Sequence, residues 1–503
     1  MGNASTNLLD IAWIPVTGPG GDAVVTVHDA LSRSGELSGI GSTDSPAEKD
    51  AIMRFLIPMA ALVLRETGGD GEVDDESAIR AVLARHRDVF DLFDQDRPFL
   101  QEWHVDAEGR ATVTKPSPLS SLHVHAPGPA TAPWCLRSET RDPADLSILP
   151  LLLLVAWYDR ANSNAKAPDF YPGKRISGMP PGTKVGKLVD RTSFYLVGET
   201  LADTLSLNVP IDWIESSDLP VWLDQDAEPS PTEITSGAVP VWRYTWAPNR
   251  ALIITDADGS PSGWVSGMTR RPIPQVGGED CREDARRIVG TDHHALMVPP
   301  ADADSEPRRI RLGGDLSGTQ GIEIWYREQV GDRITALERE RHLEHRDATR
   351  IGIYVDHRDK QNNSRYATWV EAPLRLLTIP ASDERDALMA VVQQCTGWTL
   401  QRHLAEALDV VAGENRAMLD VAQAAMFSTM DRAILPPLDA LAHGRQIELG
   451  DVVRRTIGQA IRCFETITDP LSTPESIPRV SAARRGYSAS LHKNLNGLKE
   501  ETE

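Results

Sequence analysis

Along the first hundred residues the apolar positions follow two different periods. Leu8 to Trp13 alternates loosely and stops at Pro15, which predicts a short strand, and Val24 to Val27 is a second β-branched run. From Pro46 to Arg65 the period becomes helical, with Ile52, Phe55, Leu56, Met59 and Leu62 in register before Gly68, Gly69 and Gly71 end the run. Glu76 to Phe93 predicts another amphipathic helix carrying Ile79, Val82, Leu83, Val89 and Phe90 on one side. Asp94 to Pro98 turns the chain, and Phe99 and Leu100 return to the core.

Two long stretches break the pattern. Residues 115–147 are rich in proline and hold His123 and His125; residues 162–187 form a second loop, and the apolar run from Leu149 to Ala161 between them reads as a buried helix. Loops of this length inside a compact domain are usually functional or disordered. Leu188 to Pro300 has the texture of strands and turns, and a helix is predicted near Ile322 to Arg341. Beyond Pro380 the chain reads as helical to its end, over about 383–412, 415–433, 449–468 and 474–498. Ser382 suits the first N-cap, and Gly413, Pro436–Pro437 and Asp469–Pro470 supply punctuation. Four such helices predict an antiparallel bundle. The expected fold class is therefore α+β: a large mixed α/β domain over 1–376 and a four-helix bundle over 377–503.

Length and composition fit this picture. A chain of 503 residues is too long for one ordinary core, and its 41% apolar and 25% charged residues are normal for globular protein. The longest apolar run, Ile148 to Trp157, falls short of the roughly 20 residues that cross a bilayer, so the expectation is a cytoplasmic protein without a membrane partner. Cys135, Cys281, Cys395 and Cys463 lie far apart without a CxxC pair, as free thiols do.

Charge changes the picture locally. The net charge of −21 opposes a free-standing nucleic-acid binder, because phosphate contact needs clustered Lys and Arg. Yet residues 165–191 hold Lys166, Lys174, Arg175, Lys184, Lys187 and Arg191 against only Asp169 and Asp190. Gly173, Gly178, Gly182 and Gly186 in the same stretch permit close backbone approach to a duplex.

Candidate chemistry is sparse. Gly182 to Lys187 invites a phosphate-loop reading but has the wrong spacing, with Leu188 where a magnesium-binding hydroxyl belongs. His123 and His125, His293 and His294, and the polar segment Asp356 to Asp359 lack metal-site spacing, and no nucleophile elbow is present. We therefore expect no catalytic residue, no metal and no cofactor. The amide-rich turn from Arg358 through Gln361, Asn362 and Asn363 to Arg365 suits contact with base edges or a wedge between base steps, or simply a hairpin turn.

The order of several short motifs carries a resemblance. NLLDIAWIPV at 7–16, DLFDQDRPFLQ at 91–101, a glycine-containing loop, an aromatic strand RYTWAP at 243–248, the Arg358-x-x-Gln361 turn and a helical C-terminus together resemble the CasA family, the large subunit of the type I-E CRISPR surveillance complex Cascade. The resemblance implies a non-enzymatic subunit of an RNA-guided interference complex. Its partners would be guide RNA, other Cascade subunits, double-stranded target DNA and the CRISPR helicase-nuclease. It would recognise the protospacer-adjacent motif through the minor groove and start unwinding. On that basis the loop implied to meet the groove is Pro172 to Lys184, with Gly173, Lys174, Arg175, Ser177, Gly178 and Lys184; the basic finger is Arg270 or Arg271; and the wedge is Gln361, assisted by Asn362. The 119–134 segment matches a loop that contacts the guide complex. Two departures stand out. TDADGSPSGW at 255–264 replaces a zinc-binding cysteine cluster of some members, and the loop is less glycine-dense and contains Pro180 and Pro181. Two other readings stay open: a metal-dependent nucleic-acid hydrolase built on 293–294 and 356–359, and a scaffolding subunit without DNA contact.

Overall fold

The structure is a computed structural model, and it describes residues 5–69, 71–101, 116–122, 142, 144–159, 192–223, 241–247, 249–268, 293–295, 297–298, 308–309, 350–358, 364–376, 379, 382–396, 398–413 and 416–500. It is mixed α+β. The chain divides into two compact units, one formed within Met1–Arg311 and Glu338–Glu371, the other within Leu312–Leu337 and Ala372–Glu503.

The first unit is organised around α2 (Pro46–Glu66). Ser45 caps this helix by accepting the Ala47 N–H, and Pro46 opens it with a φ already suited to a helix. The spacing predicts an amphipathic helix, but every side chain from Ala47 to Leu64 except Lys49 is buried. Such a helix is a core spine rather than a surface element. It packs against α3 (Glu76–Arg85), α4 (Leu149–Asp159), α5 (Leu201–Asn208), α6 (Ile211–Glu215) and α7 (Val241–Thr245).

The opening segment departs from its predicted strand. Residues 8–11 turn, and β1 (Ile14–Gly18) starts later, between β2 (Gly21–Val25) and the two-residue β3 (Gly39–Ile40). Pro15 sits inside β1. Its carbonyl accepts the Gly41 N–H on the β3 side, so its missing N–H faces the same short edge and leaves the β1–β2 ladder intact. Val27, expected in a strand, begins α1 (Val27–Ser32), because Thr26 accepts the Asp29 N–H as an N-cap.

The helix predicted over 76–93 stops at Arg85 and is followed by a 3-10 turn, Arg87–Phe90. Here the two quoted sequence motifs meet. Leu8 donates its backbone N–H to the Phe90 carbonyl, Asn7 bridges Asp91, and Arg87 pairs with Asp10 at 2.6 Å. Trp13 and Phe99 both turn ring edges to Phe55, with centroids 5.3 and 6.4 Å away, and Phe90 and Trp222 complete the cluster.

A second sheet has the order β10-β9-β4, from β4 (Thr192–Val197), β9 (Arg350–Arg358) and β10 (Ser364–Pro373). Strands β4 and β9 run antiparallel, with Thr192 opposite Val355 and Val197 opposite Arg350. Asp356, His357 and Arg358 are strand residues, not the polar loop expected of them. The free edge of β4 is closed by other groups. Phe194 donates its N–H to the His294 carbonyl, Ser193 bridges Ala295, and the Asn208 amide takes both the N–H and the carbonyl of Leu196. Strands β5 (Asn249–Thr255) and β6 (Pro261–Met268) form a hairpin that packs on α4. A two-stranded pair, β7 (Met297–Val298) and β8 (Arg308–Arg309), follows. RYTWAP is not a strand: its first three residues complete α7, where the Thr245 hydroxyl donates to the Val241 carbonyl and the buried Val241, Tyr244 and Ala247 set the packing.

In the second unit the described helices number five, against four predicted. The span 383–412 holds two, α8 (Asp383–Thr396) and α9 (Trp398–Ala412), with Gly397 between them in sequence. Ser382 caps α8 through the Arg385 N–H, and Gly413, at φ 67°, closes α9. The helix expected to stop before Pro436–Pro437 runs on as α10 (Arg416–Ala442). Each proline removes one ladder bond, but Ala433, Ile434, Leu438 and Leu441 around them are buried. The stop comes at Gly444, at φ 66°, where Arg445 donates its N–H to the Ala440 carbonyl. Helix α10 packs on α11 (Leu449–Thr468), α11 on α12 (Ile477–Glu500) and α12 on α9. Phe464 and Tyr487 meet in this core at 5.5 Å.

Candidate nucleic-acid interface

All ten residues proposed from sequence, Gly173, Lys174, Arg175, Ser177, Gly178, Lys184, Arg270, Arg271, Gln361 and Asn362, lie outside the described residues. What the structure defines is the framework from which their segments depart, and that framework is shared. Residues 160–191 leave from the end of α4 and return at Thr192. Residues 269–292 leave from the end of β6 and return at His293 to Ala295, where Ala295 bridges Ser193. Residues 359–363 join β9 to β10 and begin four positions beyond Val355, the partner of Thr192. Three separate sequence segments are thus tied to the first two residues of β4.

The departing ends of the first two segments are linked as well. Trp157, near the end of α4, donates its indole N–H to the Thr245 carbonyl at 3.0 Å. Thr245 lies four residues ahead of Asn249, whose partner in the hairpin is Met268, the last residue before 269–292.

Beneath the start of β4 is a buried polar cluster with no counterpart in the sequence reading. Asp50 and Arg54, one helical turn apart on α2, face Ser193 and Tyr195 on one side of β4. Arg54 Nε donates to Asp50 Oδ2 at 3.3 Å and its Nη2 to the Ser193 hydroxyl at 3.2 Å, while the Tyr195 hydroxyl donates to Asp50 Oδ1 at 2.7 Å. The spacings match: residues i and i+4 of a helix are about 6 Å apart along its axis, and i and i+2 of a strand about 6.6 Å. The Arg54 guanidinium lies 5.1 Å from the Tyr244 ring centroid and 5.9 Å from that of Tyr158. His294 stacks on Tyr195 at 4.9 Å and meets Tyr244 at 5.2 Å, and His293 meets Trp213 at 5.7 Å. The available signal in sequence was a pair of opposite charges at i and i+4 inside an otherwise apolar helix.

Further along the same sheet, Trp369 stacks on Tyr195 at 5.7 Å, and Lys49 Nζ lies 4.6 Å from a Trp369 ring centroid. Glu371 joins Lys49 at 3.4 Å and Arg350 at 2.8 Å, so these charges are largely spent on one another. They line a cavity of about 230 Å³ with Thr17, Ser38 and Thr204.

The residues of the hydrolase reading fall in different surroundings. His294 is fully buried among aromatic rings, and residues 356–358 belong to the β9 strand. Among the described residues no group of three or more His, Cys, Asp or Glu is arranged to hold a metal ion, and no helix is long and apolar enough to cross a membrane.

The family model of CRISPR-associated protein Cse1 matches residues 7–463. The CRISPR-associated protein CasA/Cse1 of Thermus thermophilus is 26% identical over 269 residues, 50% of this chain and 50% of that protein, so the match spans about half the length of that relative. The solved structure of Thermus thermophilus CasA (Cse1) superposes with a TM-score of 0.60 at 18% identity, covering 97% of this chain and 99% of the other. A chain solved within a CRISPR RNA-guided surveillance complex gives 0.63 at 16% identity, covering 97% and 99%. At such identities the superpositions establish a shared fold. The family model defines a CRISPR-associated protein. Within that class, with the family model matching most of its length, the chain belongs to the Cse1 family.

Proposed function

We propose that this chain is the large, non-enzymatic subunit of a type I-E RNA-guided surveillance complex. In this reading it recognises the protospacer-adjacent motif of double-stranded target DNA through the minor groove. Gly173, Lys174, Arg175, Ser177, Gly178 and Lys184 meet the groove, Arg270 or Arg271 enters it as a basic finger, and Gln361 with Asn362 wedges the flanking base pairs to start opening. Guide RNA and the other Cascade subunits hold it in place, and the helicase-nuclease is recruited after opening. The helical C-terminal unit packs on neighbouring subunits.

The observation that carries the proposal is the common anchoring of 160–191, 269–292 and 359–363 at Thr192 and Ser193. Three segments with groove-reading, groove-entering and wedging residues have to act on the same few base pairs, and a shared anchor serves that need. A complex already carrying RNA also removes the objection from net charge, since the subunit needs only a few phosphate contacts of its own. Minor-groove readout separates mainly A·T from G·C, so several flanking motifs are expected to be accepted.

The test is a reconstituted complex carrying Gln361→Ala or the pair Lys174→Glu and Arg175→Glu. The wedge variant should still bind flanking duplex but open it poorly. The charge-reversed variant should bind duplex more weakly and with a shallower salt dependence. Wild-type opening by the first and wild-type binding by the second would leave the scaffolding reading in its place.

A further inference from the structure

We propose that the cavity bounded by β1, β3, α2, α5 and the β10-β9-β4 sheet is a binding site for a small hydroxylated carboxylate, a hydroxy acid of the sugar-acid type. The site uses none of the residues assigned to DNA and stands independently of that reading.

Three charges meet at this cavity, and only two of them cancel. The Glu371 carboxylate is held by Lys49 at 3.4 Å, by Arg350 at 2.8 Å and by the Trp369 indole N–H at 3.2 Å. Two cations around one carboxylate leave one positive charge, in a chain whose net charge is −21. The Lys49 side chain is 19% exposed, so water screens it incompletely. Donors remain as well as charge. An ammonium has three N–H groups and a guanidinium five, and toward Glu371 Lys49 and Arg350 each use a single contact. One monoanion would balance the charge and take up the remaining donors, and the planar fork of Arg350 suits a carboxylate. A dianion would reverse the sign, and an amino acid, being a zwitterion, would leave the positive charge in place.

The hydroxyl groups set a second requirement. Thr17 donates to Asp22 at 2.6 Å, Ser38 to the Thr17 carbonyl at 3.1 Å and Thr204 to the Thr200 carbonyl at 2.9 Å. All three residues line the cavity, and with their hydrogens engaged their oxygens can only accept from a guest. The guest must therefore carry O–H groups of its own beside its anionic end. A plain fatty acid lacks them, and an uncharged polyol lacks the anion. Size narrows the class further. The cavity holds about 230 Å³, with Ile40, Val197 and Leu201 as apolar wall; drug-sized ligands take roughly 300–1,000 Å³, so this space suits a compact metabolite. A second, more open pocket of about 450 Å³ shares Thr17, Ile40, Lys49 and Trp369 with it. Because the walls come from separate parts of the chain, a bound guest would tie them together and stabilise the fold by mass action.

The experiment titrates the full chain calorimetrically with gluconate, hexanoate and sorbitol. These six-carbon probes carry charge with hydroxyls, charge alone and hydroxyls alone. Gluconate should bind saturably and raise the thermal unfolding midpoint, hexanoate should bind about tenfold more weakly, and sorbitol should give no heat of binding. Arg350→Gln should weaken gluconate by about tenfold, the weight of one hydrogen bond between charged groups. Ser38→Ala should weaken gluconate and leave hexanoate unchanged. Arg350 and Ser38 are both exposed, so neither substitution opens the core, and circular dichroism of each variant checks the fold. Absence of saturable gluconate binding overturns the inference. So does equal binding of gluconate with either of the other probes, or wild-type gluconate affinity in Arg350→Gln or in Ser38→Ala.

Discussion

Gln101 and Ile253, 152 positions apart, are joined by a buried hydrogen bond: the Ile253 N–H donates to Gln101 Oε1 at 2.8 Å. The other end of the same amide donates to the Leu92 carbonyl at 2.7 Å. The glutamine that closes the PFLQ motif therefore ties the helix-exit turn to strand β5. It also accounts for Leu100, which sits at φ 57°, a left-handed conformation that residues other than glycine and asparagine seldom adopt. Buried Phe99 on one side and Gln101 on the other hold it there. Replacing Gln101 by alanine should cost about 2–3 kcal/mol, since a backbone N–H and a carbonyl lose their partner inside the protein. Gln101→Glu should also destabilise, because an ionised carboxylate cannot donate to Leu92, and its penalty should shrink as acid restores a donor. Urea unfolding midpoints at two pH values check both.

Gly352 has a packing role. A Cβ at this position would lie 2.5 Å from Trp369 Cζ2, and the Trp369 ring is held between Tyr195 and Lys49. The ring covers the glycine across the β9–β10 pair, as aromatic side chains do where a strand lacks its own. Gly352→Ala should destabilise by about 1–3 kcal/mol through overpacking. Adding Trp369→Leu should return part of that loss, because the clash disappears with the ring. Chemical denaturation of the two single variants and the double variant measures the coupling.

The Asp10–Arg87 pair gives a pH-dependent expectation. The hydrogen bond from Arg87 holds the Asp10 carboxyl below its usual value, helped by the Ser5 hydroxyl, while partial burial opposes the shift. A depressed folded pKa adds stability that is present above the ordinary carboxylate value of about 3.9 and is lost as pH falls through the folded value. Both side chains are more than a third exposed, so the effect is small and screened by salt. Arg87→Ala should lower the unfolding midpoint slightly at pH 7 in low salt. The gap to wild type should close below about pH 4 and narrow in high salt at neutral pH.

Much of the fold is legible in sequence where one local rule decides. The start of α2 at Ser45–Pro46, the cap at Ser382 and the stop at Gly413 follow from side-chain chemistry within a few residues. The failures have two causes: a local cap that outweighs strand preference, and distant packing that overrides local signals. Val27 looks like a strand residue, but the Thr26 cap and burial of Val27, Ala30 and Leu31 make a helix. Pro436 and Pro437 look like a stop, but the buried residues around them carry α10 through. At the candidate interface, Asp50 and Arg54 were visible as opposite charges within an apolar helix. Their partner Ser193 was not, because nothing near residue 193 signals a buried arginine 139 positions earlier.

Phe55 explains why the two quoted motifs occur together, and it supplies the most direct test of that core. Its ring is fully buried and meets Trp13 at 5.3 Å, Trp222 at 5.1 Å, and Phe90 and Phe99 at 6.4 Å each. Trp13 comes from the opening motif and Phe99 from the second, so Phe55 is the surface through which they contact one another's support. Phe55→Ala should cost about 3–5 kcal/mol, combining lost transfer energy with a cavity that neighbouring rings fill incompletely. Phe55→Leu should cost less, since most of the volume remains. The sharper measurement is a double-mutant cycle between Trp13→Leu and Phe99→Leu. With Phe55 present, the two substitutions should be non-additive, because each loosens a ring that braces the other's partner. In a Phe55→Leu background the coupling should fall toward zero. Full additivity with Phe55 in place would mean that the two motifs are neighbours in the core without supporting each other.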